Sequence, residues 1–433
     1  MKLKQHLASA GSTYFSAYCI VAAFGTYFCM YAFRKPFTAA TYDGIELLGI
    51  GYKTVLVISQ VLGYTISKFL GIKFVSEAEP HRRSIMILML IGIAQAALLL
   101  FAIVPPPYNF VCLFINGLPL GMVFGLVLGF LEGRKMTELL TAGLCASFIL
   151  SGGAVKSVGQ WLILQDITDF WMPFLTGLIF VPVLLLSVWM LHQIPPPDTE
   201  DQTLRSQRAP SRKEDRRIVM AKHGMGLTML VFSYMLLTVI RSLRDDFGVE
   251  IWSQLGFNEK PEVFTQSELI VTWIVVIVNG AVFLVKDNRT AFYTAITAIG
   301  AGFALTLLAV FLFWQRMLGP FAFMVTAGVG LYVPYVAYHT TLFERMIAVF
   351  RERTNLAHLM YLADSFGYLG YVLVLLIRNF AKWEINYLNL FLGCLICIGC
   401  VALLLTVYSF FYFRRQIVAH QQATAVQLSS NSV

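Results

Sequence analysis

Seven basic residues lie within, or at the ends of, long apolar segments of this 433-residue chain. A charge near the centre of a membrane-spanning helix costs roughly 2.5–3.5 kcal/mol even on a lenient scale, so such residues are kept for a reason. The apolar segments hold too few acidic residues to neutralise them. This excess of positive charge predicts a binding site for a small anion. The seven residues are Arg34, Lys35, Lys53, Lys68, Lys156, Arg241 and Arg244.

Tyrosines accompany these basic residues at helical spacing. In the first apolar segment, positions i, i+4, i+7 and i+11 share one helical face and are Tyr27, Tyr31, Arg34 and Thr38. The second segment carries a similar stripe of Lys53, Gln60, Tyr64 and Lys68. A phenol can donate a hydrogen bond to an oxyanion, and a guanidinium offers a planar fork suited to phosphate or carboxylate. The alternative is that Arg34, Lys35 and Lys53 lie at the outer membrane interface and only snorkel to water.

Two arginines of the seventh apolar segment occupy the late position that Arg34 occupies in the first. Arg241 and Arg244 follow Arg34 by 207 and 210 residues. Two halves related by a parallel repeat would bring these segments to facing sides of a central cavity. We expect Arg34 and Arg241, the deeper of the later pair, to grip the anion. The residues expected to assist are Tyr31, Tyr64, Lys68 and Lys156, while Arg244 stays open as the alternative to Arg241.

An acid and a histidine late in the chain form a second candidate site. Asp364 and His339 fall at similar depths in two neighbouring apolar segments. Buried acids and histidines can titrate near neutral pH, so the two could relay protons. The alternative, which we expect, is a structural hydrogen-bonded pair.

The composition identifies the fold class that must position these residues. Charged residues make up only 13% of the chain, against roughly 25% in an average soluble domain. Apolar runs of about 20 residues recur from end to end, and each is long enough to cross the hydrocarbon core. The chain is therefore predicted to be an all-α membrane protein with twelve transmembrane helices. The predicted spans are 12–40, 51–74, 84–104, 108–131, 139–160, 171–193, 224–248, 267–285, 290–313, 319–344, 355–377 and 387–412.

The distribution of Lys and Arg predicts the orientation of these spans. If both termini are cytoplasmic, 21 of the 32 basic residues fall in inner segments and 4 in outer loops. This bias follows the positive-inside rule and places both termini in the cytoplasm. The predicted organisation is an N-terminal six-helix half (1–194), a cytoplasmic linker (195–223) and a C-terminal six-helix half with its tail (224–433).

Two six-helix halves, a basic linker and a cationic midline resemble the major facilitator superfamily. Within it the chain resembles the organophosphate:phosphate antiporters, the glycerol-3-phosphate and hexose-phosphate transporters. Tyr31-Ala-Phe-Arg34-Lys35-Pro36-Phe37 looks like the Arg-Lys motif of that family's first helix, and Tyr64-Thr-Ile-Ser67-Lys68-Phe69 looks like Tyr-x-x-Ser-Lys-Phe of its second. The resemblance implies that Arg34, with Arg241 or Arg244, binds the phosphoryl group. Where the family has a histidine in helix five, this chain has Ile149.

These observations predict a secondary transporter that moves a small organic anion by alternating access, with an organophosphate as the best candidate. Inorganic phosphate is the counter-substrate that the resemblance implies. The alternatives are a proton-coupled carboxylate or drug transporter, in which Asp364 matters more, and a transport-inactive sensor or scaffold of the same fold. We expect a monomer in the cytoplasmic (inner) membrane. An enzyme, a nucleic-acid partner, a metal site and a cofactor are not expected, because no catalytic set, metal spacing or Walker loop is present.

Overall fold

The computed structural model describes residues 2–76, 78–132, 134, 136–196, 213–258, 260–350, 356–380 and 386–430. Long helices dominate these residues, and we number them in chain order. They are α1 (Ser12–Tyr31), α2 (Tyr52–Ser76), α3 (Arg83–Ile103), α4 (Phe110–Leu131), α5 (Thr137–Ile163), α6 (Met172–His192), α7 (Lys213–Asp246), α8 (Glu262–Phe283), α9 (Asn288–Trp314), α10 (Pro320–Phe350), α11 (Leu356–Phe380) and α12 (Tyr387–Ser430).

Shorter elements connect some of these helices. A short helix at Lys2–Ala8 precedes α1, and another at Gly248–Gln254 follows α7. A 3-10 turn covers Pro36–Ala39. Strands β1 (Glu46–Leu47) and β2 (Ile50–Gly51) form a small antiparallel hairpin before α2. Most of the backbone is therefore helical, as a lipid environment requires, because a helix satisfies its own peptide groups.

The all-α fold class predicted from the sequence is confirmed. Among the described residues, eleven helices are long and apolar enough to cross a membrane. The remaining long helix, α11, matches the eleventh predicted span and carries Asp364. Each predicted apolar run thus corresponds to one long helix.

The first predicted helix ends earlier than expected. A continuous helix was predicted over 12–40, but α1 stops at Tyr31 and the chain turns before the Pro36–Ala39 segment. Pro36 explains the break, because proline has no backbone N–H and disfavours helical geometry in the residue before it. Arg34 therefore lies in a break between two helical segments and not on the face of one continuous helix.

Three other helices differ from the predicted ones, two in a boundary and one in an internal turn. The predicted linker is partly helical, since α7 begins at Lys213, and its residues 197–212 lie outside the described residues. Helix α12 continues to Ser430, well past the predicted end at 412. Helix α10 contains a π-helical turn at Tyr338–Leu342, and that turn includes His339.

The two halves of the bundle meet along two helix pairs. Helix α2 packs against α11, and α5 packs against α8. Within the N-terminal half, α2 and α4 cross so closely that a Cβ atom on Gly117 would overlap the backbone carbonyl of Gln60. Helix α2 thereby presents Tyr64 and Lys68 at the boundary between the halves.

Candidate functional site

All seven of the predicted basic residues are buried inside the protein. None has more than 5% of its surface exposed. The interface alternative for Arg34, Lys35 and Lys53 is therefore wrong, because a snorkelling side chain would leave its charged head in water. What separates the seven is the partner that each one has.

Three lysines of the N-terminal half pair with carboxylates of the C-terminal half. We call the end of the bundle where α6 stops and α7 starts the linker end, and the opposite end the far end. At the far end Lys35 contacts Asp246 and lies 3.4 Å from Asp245, which also pairs with Lys156. Lys53 Nζ lies 2.6 Å from Glu250 Oε1. These six residues, Lys35, Lys53, Lys156, Asp245, Asp246 and Glu250, form what we call the far-end cluster.

The burial of this cluster carries an electrostatic cost. Glu250 lies just beyond α7, and burial raises the pKa of its carboxyl, although Lys53 acts in the opposite direction. At Glu250, desolvation thus outweighs the attraction of Lys53, as is common for buried pairs. Removing only one partner of such a pair typically costs 3–5 kcal/mol, because the other charge is left buried.

Two further basic residues also have carboxylate partners. Arg244 Nη1 lies 2.5 Å from Glu268 Oε1 of α8. Lys68 Nζ lies 3.0 Å from Asp364 Oδ2 of α11. The expectation of an interior with too few acids is therefore wrong. Five of the seven cations are paired. Four of their five acidic partners lie at or just beyond the end of α7, or in α8.

Arg34 and Arg241 are the exceptions. Among the described residues no carboxylate forms an ion pair with either guanidinium, and the Nε atom of each is buried without a hydrogen-bond partner. Asp245, one turn on from Arg241, is taken by Lys35 and Lys156. Of the two candidates in α7, Arg244 pairs with Glu268, and Arg241 has no acidic partner within the described ranges.

Tyrosines surround both unpaired guanidinium groups. Arg34 Cζ lies 3.6 Å from the centre of the Tyr64 ring, and Arg241 Cζ lies 4.4 Å from that of Tyr335. Tyr31 and Tyr368 interact electrostatically with both arginines. Arg34 belongs to the N-terminal half and Arg241 to the C-terminal half, so these rings line one region between the halves. We call Arg34, Arg241 and their rings Tyr31, Tyr64, Tyr335 and Tyr368 the arginine–tyrosine site.

Two members of this site, Tyr335 of α10 and Tyr368 of α11, are not among the site residues predicted from the sequence. A signal was present in the chain, since Tyr332, Tyr335 and Tyr338 recur every three residues beside His339. Such a stripe marks a site only when a cation packs against it, as Arg241 of α7 packs against Tyr335, and a single sequence does not show that contact.

Two buried amides hold Arg34 in its break. Gln60 donates a hydrogen bond to the carbonyl of Arg34 and another, at 2.9 Å, to Asn116 Oδ1. Asn116 in turn donates to the carbonyl of Phe33 at 2.9 Å. The broken helix leaves these carbonyls without helical partners, and buried carbonyls need a donor. The amides of α2 and α4 therefore fix the backbone on which Arg34 stands.

Asp364 and His339 are neighbours, as the sequence predicted. Asp364 Oδ1 lies 3.7 Å from His339 Nε2 and accepts a hydrogen bond from Tyr234, while Oδ2 pairs with Lys68. His339 Nδ1 lies 2.9 Å from the carbonyl of Tyr335. Lys68 was expected to bind the anion, and the structure pairs it with Asp364.

A cavity reaches this group from the linker end. Its empty volume, including space open to solvent, is about 780 Å³. Lys68, Asp364 and His339 line its deep part, and Glu132 and Thr137, beside the connection from α4 to α5, line its mouth. The Tyr64 ring connects this cavity to Arg34, since its centre is 5.3 Å from Lys68 Nζ and 3.6 Å from Arg34 Cζ. Among the described residues no three His, Cys, Asp or Glu side chains are grouped as a metal site requires.

Comparison with known proteins agrees with this architecture. A D-xylose-proton symporter superposes with a TM-score of 0.60 at 13% identity, covering 92% of this chain and 97% of that one. The human organic anion transporter MFSD10 (TETRAN) superposes with a TM-score of 0.54 at 13% identity, covering 91% and 99%. No curated protein matches the sequence. At such low identity these similarities establish the fold, and the predicted major facilitator fold is confirmed.

One family matches most of the sequence. The family described as "Family of unknown function (DUF5690)" matches residues 36–416, which include the far-end cluster apart from Lys35, and the Lys68–Asp364 pair. The match begins two residues after Arg34. The chain therefore belongs to the DUF5690 family, and it has the major facilitator fold.

Proposed function

We propose that this protein is a secondary transporter whose substrate, a small organic anion, binds between Arg34 and Arg241. The observation that carries the proposal is the pair of buried guanidinium groups, one from each half, without acidic partners among the described residues. A buried charge is expensive unless it is paired, and the other five cations are paired. An anion between the halves would supply the missing partner.

The charge of the site favours a dianion. A phosphate monoester carries about −1.5 to −2 at pH 7, which matches two guanidinium groups. Each guanidinium can donate two parallel hydrogen bonds to phosphate oxygens, and the tyrosine hydroxyls can donate more. The resemblance to organophosphate:phosphate antiporters supports the same substrate class, with inorganic phosphate as counter-substrate. One solved protein of this fold is itself an organic anion transporter.

The arrangement supports alternating access. The cavity opens at the linker end, and the far-end cluster joins the halves at the other end. Rocking of one half against the other would close the linker end and open the far end around a fixed site. With the linker and both termini in the cytoplasm, the structure corresponds to an inward-facing state. The protein would work in this way as a monomer in the cytoplasmic (inner) membrane.

The test is substitution of the two arginines. Thermal unfolding of the purified protein is followed with increasing inorganic phosphate or glycerol 3-phosphate. Arg34→Ala and Arg241→Ala should each weaken binding about 30-fold to several thousand-fold, as expected for losing ~2–5 kcal/mol of a desolvated charge-assisted contact. Arg82→Ala is the matched control, because the Arg82 side chain is exposed and its loss should leave binding unchanged.

Lysine variants separate charge from geometry. Arg34→Lys and Arg241→Lys should recover only part of the affinity, because an ammonium cannot reproduce the bidentate fork. Near-normal binding by Arg34→Ala, for either probe, would disprove the proposal. Binding without uptake into proteoliposomes would instead identify a sensor or scaffold of the same fold.

A further inference from the structure

Among the described residues, the Lys68–Asp364 pair crosses the boundary between the halves and also lines the cavity. It lies next to Tyr64 of the arginine–tyrosine site. Lys68 stands on α2 and Asp364 on α11, and both line the cavity. Tyr64 lies one helical turn before Lys68 and carries Arg34 on its ring. An anion held by Arg34 and displaced toward the cavity therefore meets Lys68 next.

Asp364 and His339 face each other with two hydrogen-bond acceptors. The carbonyl of Tyr335 can only accept, so His339 Nδ1 must donate to it. In the neutral imidazole the lone pair is then on Nε2, and Nε2 points toward Asp364 Oδ1 at 3.7 Å. One proton would join the two acceptors in a hydrogen bond. The cavity gives that proton a path from the linker end.

Four other helices, and α11 itself, contribute titratable or charged groups that interact with Asp364, while Glu132 and Glu344 line the same cavity. The groups that interact with Asp364 are Lys68 and Tyr64 of α2, Cys145 of α5, Tyr234 of α7, Tyr335 and His339 of α10, and Tyr368 of α11 itself. Lys68 is the one residue in this set whose ordinary charge is positive near neutral pH. Without Lys68, an ionised Asp364 would have no cationic partner in this set.

We propose that Asp364 and the substrate anion compete for Lys68, so that Asp364 takes up a proton when the anion binds. This inference rests on the proposed function and adds proton coupling to it. In the empty site Lys68 pairs with the Asp364 carboxylate. When the anion takes Lys68, the carboxylate accepts one proton from solvent, becomes a neutral acid and donates to His339 Nε2. Lys68 keeps its proton throughout, and on release of the anion the acid returns the proton.

The exchange also loosens the contact between the halves. The Lys68–Asp364 pair ties α2 to α11 while the site is empty. A neutral acid no longer attracts Lys68 as an ion does, so binding of anion and proton together releases this tie. Proton and anion then cross the membrane together, in the same direction.

Affinity measured against pH tests the proposal. Binding of inorganic phosphate and of glycerol 3-phosphate is measured between pH 6 and 8 for the wild type and for Asp364→Asn. If binding takes up about one proton at Asp364, wild-type affinity should fall with rising pH about tenfold per pH unit more steeply than that of the variant. The probes titrate in this range themselves, so the difference between the proteins is the readout. Glu79→Gln neutralises an exposed, arginine-paired carboxylate outside the cavity and should keep the wild-type slope.

A double variant guards against loss of the fold. Asp364→Asn leaves Lys68 buried without its partner, whereas Lys68→Met with Asp364→Asn removes both charges and avoids that cost. The double variant should bind more weakly and show the shallow slope of Asp364→Asn. Equal slopes in wild type and both variants, with binding still dependent on Arg34, would overturn proton coupling and leave the proposed function standing. Failure of both probes to bind the wild type would overturn both.

Discussion

The basic residues in this interior are buried to a similar extent, and they differ in whether an acidic side chain pairs with them. Arg241 and Arg244 are three positions apart on α7 and equally buried, yet Glu268 pairs with Arg244 and the Tyr335 ring lies beside Arg241. The charge of the paired residue is neutralised within the protein, and under the proposed function the charge of the other binds the substrate. The same distinction separates Arg34 from Lys35, its neighbour in the sequence, which contacts Asp246.

Asn116 offers a direct test of how Arg34 is held. Asn116→Leu keeps the size of the side chain but removes the donors to the carbonyls of Phe33 and Ala94. Leaving buried carbonyls unpaired costs about 1–3 kcal/mol each, so the unfolding midpoint should fall and phosphate binding should weaken. Thermal unfolding with and without phosphate measures both effects. Asn389→Leu at an exposed position should change neither, and unaltered phosphate affinity in Asn116→Leu would show that the amide does not position Arg34.

At the scale of helices, the crossing of α2 and α4 sets where the α2 side chains stand. Gly117 lets α4 approach the backbone of Gln60 and Tyr64, and the Tyr64 nitrogen would lie only 2.8 Å from an added Cβ. Helix α2 supplies three residues of the proposed mechanism: Gln60 holds the backbone of Arg34, Tyr64 lies against the guanidinium group of Arg34, and Lys68 pairs with Asp364. A shift of this one helix would therefore move them together.

Gly117→Ala should separate the two helices. The added methyl group overlaps backbone atoms, which cannot move as a flexible side chain can, so we expect a loss of about 1–3 kcal/mol of stability and weaker phosphate binding. Gly92→Ala is the matched control, because nothing lies within 4 Å of a Cβ added there. Alanine is the better helix former, so that control should keep or raise the unfolding midpoint. A Gly117→Ala protein as stable as Gly92→Ala would contradict the close crossing.

Helices and site residues were predictable from the sequence where they depend on a local property, such as the length of an apolar run or a short motif. Apolar length alone places the helices, and the motif around Arg34 identifies an arginine that has no acidic partner in the part of the chain that the structure describes. The break after Tyr31 was missed although Pro36 signalled it, because the amides that stabilise it come from α2 and α4. The pairing of Lys35 with Asp246 joins residues more than 200 positions apart, so no local pattern reports it.

The whole molecule is open at one end and joined at the other, and its orientation in the membrane decides what each end faces. The bias of 21 against 4 basic residues predicts that the linker end faces the cytoplasm. In intact cells, an impermeant thiol reagent should therefore label Asn258→Cys and miss Ser206→Cys. The parent protein, with its own cysteines, gives the background. Labelling of Ser206→Cys from outside would invert the proposed topology.

The far-end cluster has a consequence for how strongly salt acts on this protein. Its three cations all belong to the N-terminal half, and its three carboxylates all belong to the C-terminal half. The two halves thus meet at that end as surfaces of opposite sign, which attract each other before any side chains touch. Ions screen charges that face water far more than buried ones, over a Debye length of about 8 Å at physiological ionic strength. Under alternating access, salt at the far end would then favour the conformation in which the two surfaces are apart. In the proposed orientation, the ionic strength outside the cell would therefore shift the equilibrium between the two conformations.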